Sequence, residues 1–178
     1  MNECIGDCMI LFPERGTRRR CRVPVTSASD SAPRPTVDGA SRGKSVTVVR
    51  HPQPGTIVRV DLSEGFRSPE MGKRRPCVVL SPPIRGRPTM CTIVPLSTTA
   101  PNPVLPHHLL ITLDPALPAP YDSPTMWLKG DIVLTVAFHR LRLLQAGRDQ
   151  GQRVYDVRVL EPAVMDQVKA CVRAGLGL

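Results

Sequence analysis

Aromatic residues are scarce in this sequence, and the motifs that usually mark cofactor sites are missing. Only 3% of the residues are Phe, Trp or Tyr, so a nucleic-acid surface built on stacked aromatic rings is not expected. The sequence has no G-x-G-x-x-G motif and no P-loop, which argues against a nucleotide cofactor. It also has no Cys-x-x-Cys pair and no carboxylate pair that suggests a metal site, so we expect no cofactor and no metal.

Long hydrophobic runs are missing as well. The longest run near the start is CMILF at 8–12, which is shorter than a signal-peptide core. No stretch approaches the roughly 20 apolar residues of a membrane span. We therefore expect a cytoplasmic protein with no membrane partner. Cys77, Cys91 and Cys171 fall within apolar patterns and are expected to be small buried hydrophobes.

Residues 1–50 differ in composition from the rest of the 178-residue chain. They contain the basic cluster TRRRCR and the stretch SASDSAPRPTVDGASRGKS, which has no apolar period. Such a composition buries too little surface to order itself. We expect either a disordered basic extension or an over-extended translation start here, followed by one folded domain over 54–176.

The folded domain is expected to be mainly β, with a C-terminal helix. Val58, Val60 and Leu62 alternate as on one face of a strand. Pro162 and Gly175 bracket a helix whose apolar residues form one stripe. This order of elements predicts a small bent antiparallel sheet or barrel with a helix packed on it. The predicted strands are 55–62, 77–81, 90–96, 108–113, 131–136 and 153–160, and the helical stripe is Val164, Met165, Val168, Cys171 and Val172.

The positive charge of the domain is concentrated beside one predicted strand. Residues 55–178 contain 15 Lys or Arg and 10 Asp or Glu, and residues 66–87 alone account for an excess of five positive charges. If strand 77–81 pairs with 90–96 as a hairpin, these charges lie at its two ends. Clustered cations suit phosphate binding, and an ordinary solubilising loop is the alternative. The candidate RNA-binding residues are Arg67, Lys73, Arg74, Arg85 and Arg87.

Four segments in a fixed order resemble the MazF/PemK family of toxin endoribonucleases. They are PGTIVRVDL, GFRSPEMGKRRPCVVLSP, CTIVPLSTT and WLKGDIVLTVAFHRL. The resemblance covers about residues 54–174. It implies a small SH3-like β-barrel of the CcdB/MazF type with a C-terminal helix, usually in a homodimer.

The resemblance also implies site residues. The catalytic arginine of the family precedes a proline, which here makes it Arg75, and its catalytic Thr or Ser corresponds to Ser97, with Thr98 able to share the role. The acidic residue of the later strand corresponds to Asp131. The loop covering the RNA groove corresponds to residues 63–74.

Several other residues keep two interpretations on sequence alone. His108, with its neighbour His107, is either a general base, because imidazole titrates near neutrality, or a surface residue or phosphate contact. Asp131 either orients Arg75 across the sheet or ends a turn. Trp127 is expected to be a partly buried packing anchor, and His139 to be structural.

The implied function is the toxin of a type II toxin–antitoxin system. It would act as a metal-independent, sequence-selective endoribonuclease on single-stranded RNA, with a cognate antitoxin protein as partner. RNA carries its own nucleophile, the 2′-hydroxyl, so the protein has only to hold the phosphate, stabilise charge and move protons. The alternatives are a non-catalytic CcdB-like protein-binding toxin and an RNA-binding module on the same barrel.

Overall fold

The computed structural model describes residues 48–66 and 70–178 as nine strands, one short 3-10 helix and one α-helix. Arg67 and nearly all of the predicted N-terminal extension lie outside the described residues. The strands are β1 Ile57–Val60, β2 Arg75–Val79, β3 Met90–Ser97, β4 His108–Thr112, β5 Thr125–Lys129, β6 Leu134–Ala137, β7 Leu141–Arg142, β8 Leu144–Asp149 and β9 Gln152–Asp156. The 3-10 helix is Phe138–Arg140, and α1 is Pro162–Leu176.

Seven of these strands form one antiparallel sheet, whose order is β4-β5-β3-β2-β1-β7 with β6 also paired to β3. β8 and β9 form a separate hairpin. The predicted pairing of 77–81 with 90–96 is confirmed, because Val78 lies opposite Val94 in β2 and β3. The prediction of a mainly β domain with a C-terminal helix is confirmed. The seven-stranded order has two free ends, so a closed SH3-like barrel is not confirmed for the described strands.

The two faces of the sheet pack differently. One face carries Ile57, Val78 and Val94 against α1, and we call this the helix-side core. The other face carries Val58, Cys77 and others in a second core that closes on the 3-10 helix. Because successive strand residues point to opposite faces, the alternation in β1 supplies both cores. As predicted, Val58, Val60 and Leu62 are fully buried together in the second core.

The helical stripe predicted from the sequence is confirmed, since all five of its residues are buried. Pro162 occupies the first turn, as expected. The predicted end at Gly175 is wrong. The helix continues to Leu176, and Gly177 ends it with a φ of 72°, a left-handed conformation that glycine adopts without a Cβ penalty.

The predicted strand 131–136 is shifted in the structure. Its first residues form a turn after β5, and only β6 at 134–137 remains a strand. β5 itself was missed, although Met126 and Leu128 alternate into the helix-side core. The predicted strand 153–160 is also shorter, because β9 ends at Asp156 and Val157 is exposed.

The expectation for the cysteines of the domain is confirmed. Cys77, Cys91 and Cys171 are free thiols and buried, and burial raises the pKa of Cys91 to about 11. Within the described ranges, no helix combines the length and apolar character needed to cross a membrane.

Candidate active site

The β2–β3 hairpin brings the two principal candidates, Arg75 and Ser97, to the same end of the sheet. Cys77 is the partner of Pro95 across these strands. Continuing this antiparallel register by two residues sets Arg75 opposite Ser97. Opposite residues share a face, and so do residues two apart in one strand. Both side chains therefore belong to the face of the second core, just beyond its apolar residues, and we call this polar end the site face.

Arg75 is half-buried at the first position of β2. Its Nε is fully buried and has no hydrogen-bond partner among the described residues. A buried donor without a partner typically costs about 1–3 kcal/mol, and more when the group is charged. A ligand oxygen placed beside this Nε would satisfy the donor.

Ser97 is only 5% exposed at the last position of β3. The N–H of Thr99 donates to Ser97 Oγ over 3.2 Å. Because the oxygen accepts this bond, the hydroxyl proton remains able to donate to another acceptor. Thr98 follows the end of the strand in a bend and is exposed.

The site face continues onto β5, where it carries a residue that sequence reasoning missed. Trp127 is the partner of Ser97 across β3 and β5. Lys129 lies two residues further along β5, on the same face. Burial lowers the pKa of Lys129, and the positive charge of Arg75 lowers it further, while Asp131 opposes both effects. Because the charge of Arg75 reaches Lys129, the two cations suit one shared anion.

His108 lies beside Lys129 as its partner across β4 and β5. Its side chain is only 9% exposed. The N–H of Leu105 donates to His108 Nδ1 over 3.1 Å, so in the neutral ring the proton is on Nε2. Burial lowers the pKa of His108, helped by His107 and Lys129. A neutral ring with its proton on Nε2 is a hydrogen-bond donor through that atom.

Asp131 is exposed, and its Oδ1 lies 4.0 Å from His108 Nε2. Within the described part of the chain it forms no ion pair with Arg75, so the contact that is present is with the histidine. The backbone at this point is held by α1. A Cβ on Gly130 would lie 2.8 Å from the backbone of Cys171 and from His107 O, and Gly130 N–H donates to that same oxygen over 2.8 Å. Gly175 is equally tight against Gly130 and Asp131.

His107, His108 and Asp131 form a cluster whose candidate ligand atoms lie within 4.8 Å of one another. The donor chemistry does not fit a metal ion. A metal on His108 Nε2 would require the proton on Nδ1, but Nδ1 faces the N–H of Leu105. The rings of His107 and His108 are instead packed edge to face, with centroids 4.2 Å apart. These contacts favour a hydrogen-bonding role for the cluster.

The candidate RNA-binding cations fall into two groups at opposite ends of the hairpin. Lys73 and Arg74 are exposed beside Arg75, and Arg74 Nε pairs with Asp61 Oδ2 over 2.7 Å. Arg85 and Arg87 are exposed in the turn beyond β2. Since β2 has five residues and strands rise about 3.3 Å per residue, that turn lies more than ~13 Å from Arg75. Arg67 lies outside the described residues.

Trp127 is half-buried, in keeping with a packing anchor, and His139 is exposed on the 3-10 helix. The carbonyl oxygen of His139 accepts a hydrogen bond from Arg142 Nη1.

Comparison with known proteins gives one family and a set of similar folds. The model of the PemK-like, MazF-like toxins of type II toxin–antitoxin systems matches residues 53–176. A comparison with curated proteins finds no match.

Solved structures to which the chain is similar include three toxins. The first is a mycobacterial endoribonuclease solved with its cognate antitoxin, with 22% identity, coverage of 72% of this chain and 97% of that one, and a TM-score of 0.46. The second is MazF from Deinococcus radiodurans, with 19% identity, 71% and 97% coverage, and a TM-score of 0.49. The third is Mycobacterium tuberculosis toxin MazF-mt6, with 16% identity, 71% and 98% coverage, and a TM-score of 0.44. Likeness at this level does not identify site residues.

The family match spans more than two thirds of the sequence and nearly all of the described residues, including every strand of the sheet and α1. The chain therefore belongs to the PemK-like, MazF-like toxin family of type II toxin–antitoxin systems.

Proposed function

We propose that this toxin is a metal-independent endoribonuclease that cleaves single-stranded RNA on the site face. The observation that carries the proposal is the meeting of Arg75 and Ser97 in one cross-strand register, with the buried Nε of Arg75 lacking a partner within the described residues. A guanidinium holds two phosphate oxygens in its planar fork and keeps its charge. A phosphodiester is the anion that a partly buried arginine beside a serine hydroxyl would bind.

In the proposed reaction, the 2′-oxygen of the RNA attacks the adjacent phosphorus and the bond from phosphorus to the 5′-oxygen breaks. The products are a 2′,3′-cyclic phosphate and a 5′-hydroxyl. Arg75 and Ser97 donate hydrogen bonds to the non-bridging oxygens, where negative charge grows in the transition state. Donors that are already oriented before reaction stabilise this charge without reorganising. The proton of the 2′-hydroxyl passes to water.

Lys129 supplies the proton that the departing 5′-oxygen requires. Burial and Arg75 both lower its pKa, which makes its ammonium group a stronger acid than that of an ordinary lysine. A general acid is most effective when its pKa approaches the working pH. His108, with its proton on Nε2, donates a hydrogen bond beside Lys129, and Asp131 orients that ring. Asp131 thereby supports the site through His108.

The substrate path and partners follow from the same assignment. Lys73 and Arg74 bind the RNA backbone beside the scissile phosphate, and Arg85 and Arg87 provide a more distant contact. The other partner is a cognate antitoxin protein with an acidic segment that neutralises the basic surface. We further propose a homodimer in the cytoplasm, with the sheet completed as an SH3-like barrel.

The reaction type is tested with an RNA that carries one 2′-deoxy sugar on the 5′ side of the mapped cut. Cleavage by 2′-hydroxyl attack predicts that this position becomes resistant in EDTA while other cut sites in the same RNA are cleaved normally. The products of the unmodified RNA are expected to carry 5′-hydroxyl ends. Cleavage at the 2′-deoxy position, or 5′-phosphate ends, would mean that water or another nucleophile attacks instead.

A further inference from the structure

A second cationic site lies away from the site face, at the edge of the sheet formed by β1 and β7. It is a cavity of about 430 Å³ that we call the arginine pocket, lined by Arg59, Asp61, Glu64, Arg74, His139, Arg140 and Arg142. Arg59 is the partner of Arg142 across β1 and β7. Val60 is the partner of Arg75, and Arg59 points to the opposite face from Val60. The arginine pocket and the site face are thus separate.

The guanidinium groups of the pocket are held mainly by backbone carbonyls. Arg140 Nη1 donates to Glu64 O over 2.9 Å and to Asp61 O over 3.2 Å. Arg142 Nη1 donates to Leu141 O over 2.9 Å and to His139 O over 2.6 Å. A carbonyl orients a guanidinium but carries no net charge to cancel it. These contacts fix the direction of each fork and leave its charge to attract an anion.

The two carboxylates of the pocket do not balance its four arginines. Asp61 is engaged by Arg74, and hydrogen bonds from Ser63 and then Arg74 hold its pKa at about 2. Arg59 is half-buried in β1, and its guanidinium forms no hydrogen bond or ion pair within the described part of the chain. The pocket therefore keeps a net positive charge, and the guanidinium of Arg59 is available to bind an anion.

A second cavity, of about 350 Å³, shares Arg59 with the arginine pocket. Apart from Arg59, its lining residues carry no charge. The hydroxyl of Tyr121 donates to Arg74 O over 3.3 Å, which links this wall to the strand mouth beside Arg75. The lining residues beyond Arg59 are Pro118, Ala119, Pro120, Tyr121, Leu144, Gln145, Ala146 and Gly147. A cationic cavity beside an uncharged one that includes the ring of Tyr121 fits a nucleotide unit, whose phosphate and base need different surroundings. A run of carboxylates would use only the first cavity.

We propose that the arginine pocket is a second RNA site, which binds a backbone phosphate of the substrate away from the cut through Arg59 and Arg142. Arg74 and Arg75 are neighbours in the chain, one lining the pocket and the other on the site face, so an RNA strand passing over this end of β2 meets both sites. The choice of RNA as ligand rests on the proposed nuclease function; the pocket and its positive excess do not.

The test is a binding measurement that does not depend on cleavage. A fluorescein-labelled 20-nucleotide oligouridine with 2′-O-methyl sugars cannot be cut by 2′-hydroxyl attack. Its affinity is measured by anisotropy in EDTA between 50 mM and 200 mM salt. The wild type is compared with two double variants. The pocket variant combines Arg59→Gln and Arg142→Gln, and the control variant combines Arg148→Gln and Arg173→Gln, which removes two exposed charges elsewhere.

Removing one protein cation that binds a phosphate of a single strand reduces the slope of log affinity against log salt by about 0.7. The pocket variant should therefore show a slope that is smaller by about 1.4. Over this fourfold change in salt, the affinity of the wild type is expected to fall about sevenfold more than that of the pocket variant. The control variant should keep the wild-type slope.

Equal slopes for the wild type and the pocket variant, or an equal reduction in the control, would overturn the proposal. The proposal would also be overturned if the binding of a 20-residue polyglutamate depended on Arg59 and Arg142 while the binding of the RNA probe did not. That result would identify an acidic peptide as the ligand. If the double variant melts early by circular dichroism, Arg59→Gln alone is used, with an expected slope change of about 0.7. If the protein binds the probe through Arg59 but cuts no RNA, the pocket stands as an RNA-binding site and the nuclease proposal is refuted.

Discussion

The packing of α1 against the turn after β5 predicts that Gly130→Ala lowers the free energy of unfolding. The added Cβ would lie 2.8 Å from Cys171 C, Cys171 O and His107 O. All three are backbone atoms, so no side-chain rotation relieves the contact. Overpacking of this kind costs about 1–3 kcal/mol, while the less flexible unfolded chain returns about 0.4–1 kcal/mol. The net expected loss is about 1–2 kcal/mol.

Near 60 °C the entropy of unfolding is about 2.1 cal/mol/K per residue. For the 124 residues of the family match, each kcal/mol therefore shifts Tm by about 4 °C. Gly130→Ala should lower Tm by about 4–8 °C in a circular dichroism melt. Gly147→Ala is the matched control, since a Cβ there meets no atom within 4 Å, and it should change Tm little. Equal melting temperatures for the two variants would refute the claim that Gly130 is held by backbone contact with α1.

Three further predictions concern individual side chains. Ser97→Ala should lower kcat for RNA cleavage by about 10²–10³-fold, the usual effect of losing one transition-state donor, while Ser97→Thr keeps most of the rate; a normal rate for the alanine variant would remove Ser97 from the mechanism. If the Lys129 ammonium is the acid, the rate of RNA cleavage should fall as pH rises through its lowered pKa. This alkaline limb of the pH–rate profile should move or disappear in Lys129→Arg, and an unchanged profile would contradict the role of Lys129 as acid. Asp61 has a folded pKa of about 2 against an ordinary value of 3.8, so its contribution to stability is complete above about pH 4 and is lost as pH falls towards 2. Chemical denaturation of Asp61→Asn should show a flatter loss over that range, and an unchanged pH dependence would mean that the carboxylate is not stabilised in the folded state.

Local patterns in the sequence were sufficient for one face of β1 and for α1. Val58, Val60 and Leu62 alternate because they lie in one core, and the stripe on α1 marks the buried side of the helix. The hairpin of β2 and β3 could also be predicted, because its two apolar runs are close in the chain and separated by turn-forming residues. Arg75 and Ser97 lie in those two strands, so their shared end of the sheet was within reach of sequence reasoning.

The contribution of β5 was not within reach of the same reasoning. Its run TMWLK follows a proline-rich stretch and has only two fully buried residues, Met126 and Leu128, so its pattern resembles a loop. Its place beside β3 depends on the strand order of the sheet, which no local signal encodes. Lys129 therefore went unnoticed, although it shares a face with the predicted residues. The end of α1 was misjudged for a related reason. Gly175 serves a close contact with Asp131, and the helix stops at Gly177.

The arginine pocket was also hidden by distance along the chain. Arg59 and Arg142 are 83 positions apart and meet only because β7 pairs with β1. In the sequence, the positive excess stood out only near β2, where the cations are consecutive.

The central claim is that Arg75 cleaves RNA with the help of its neighbours on the site face, and one measurement tests it most directly. Wild type, Arg75→Ala and the exposed-site control Arg173→Ala are each incubated with a long single-stranded RNA in EDTA, and the fragment ends are mapped. We expect discrete cuts with 5′-hydroxyl ends from the wild type and the control, and a rate at least 10²–10³-fold lower from Arg75→Ala with an unchanged circular dichroism melt. Equal cutting by all three proteins, or none by the folded wild type, would contradict the account.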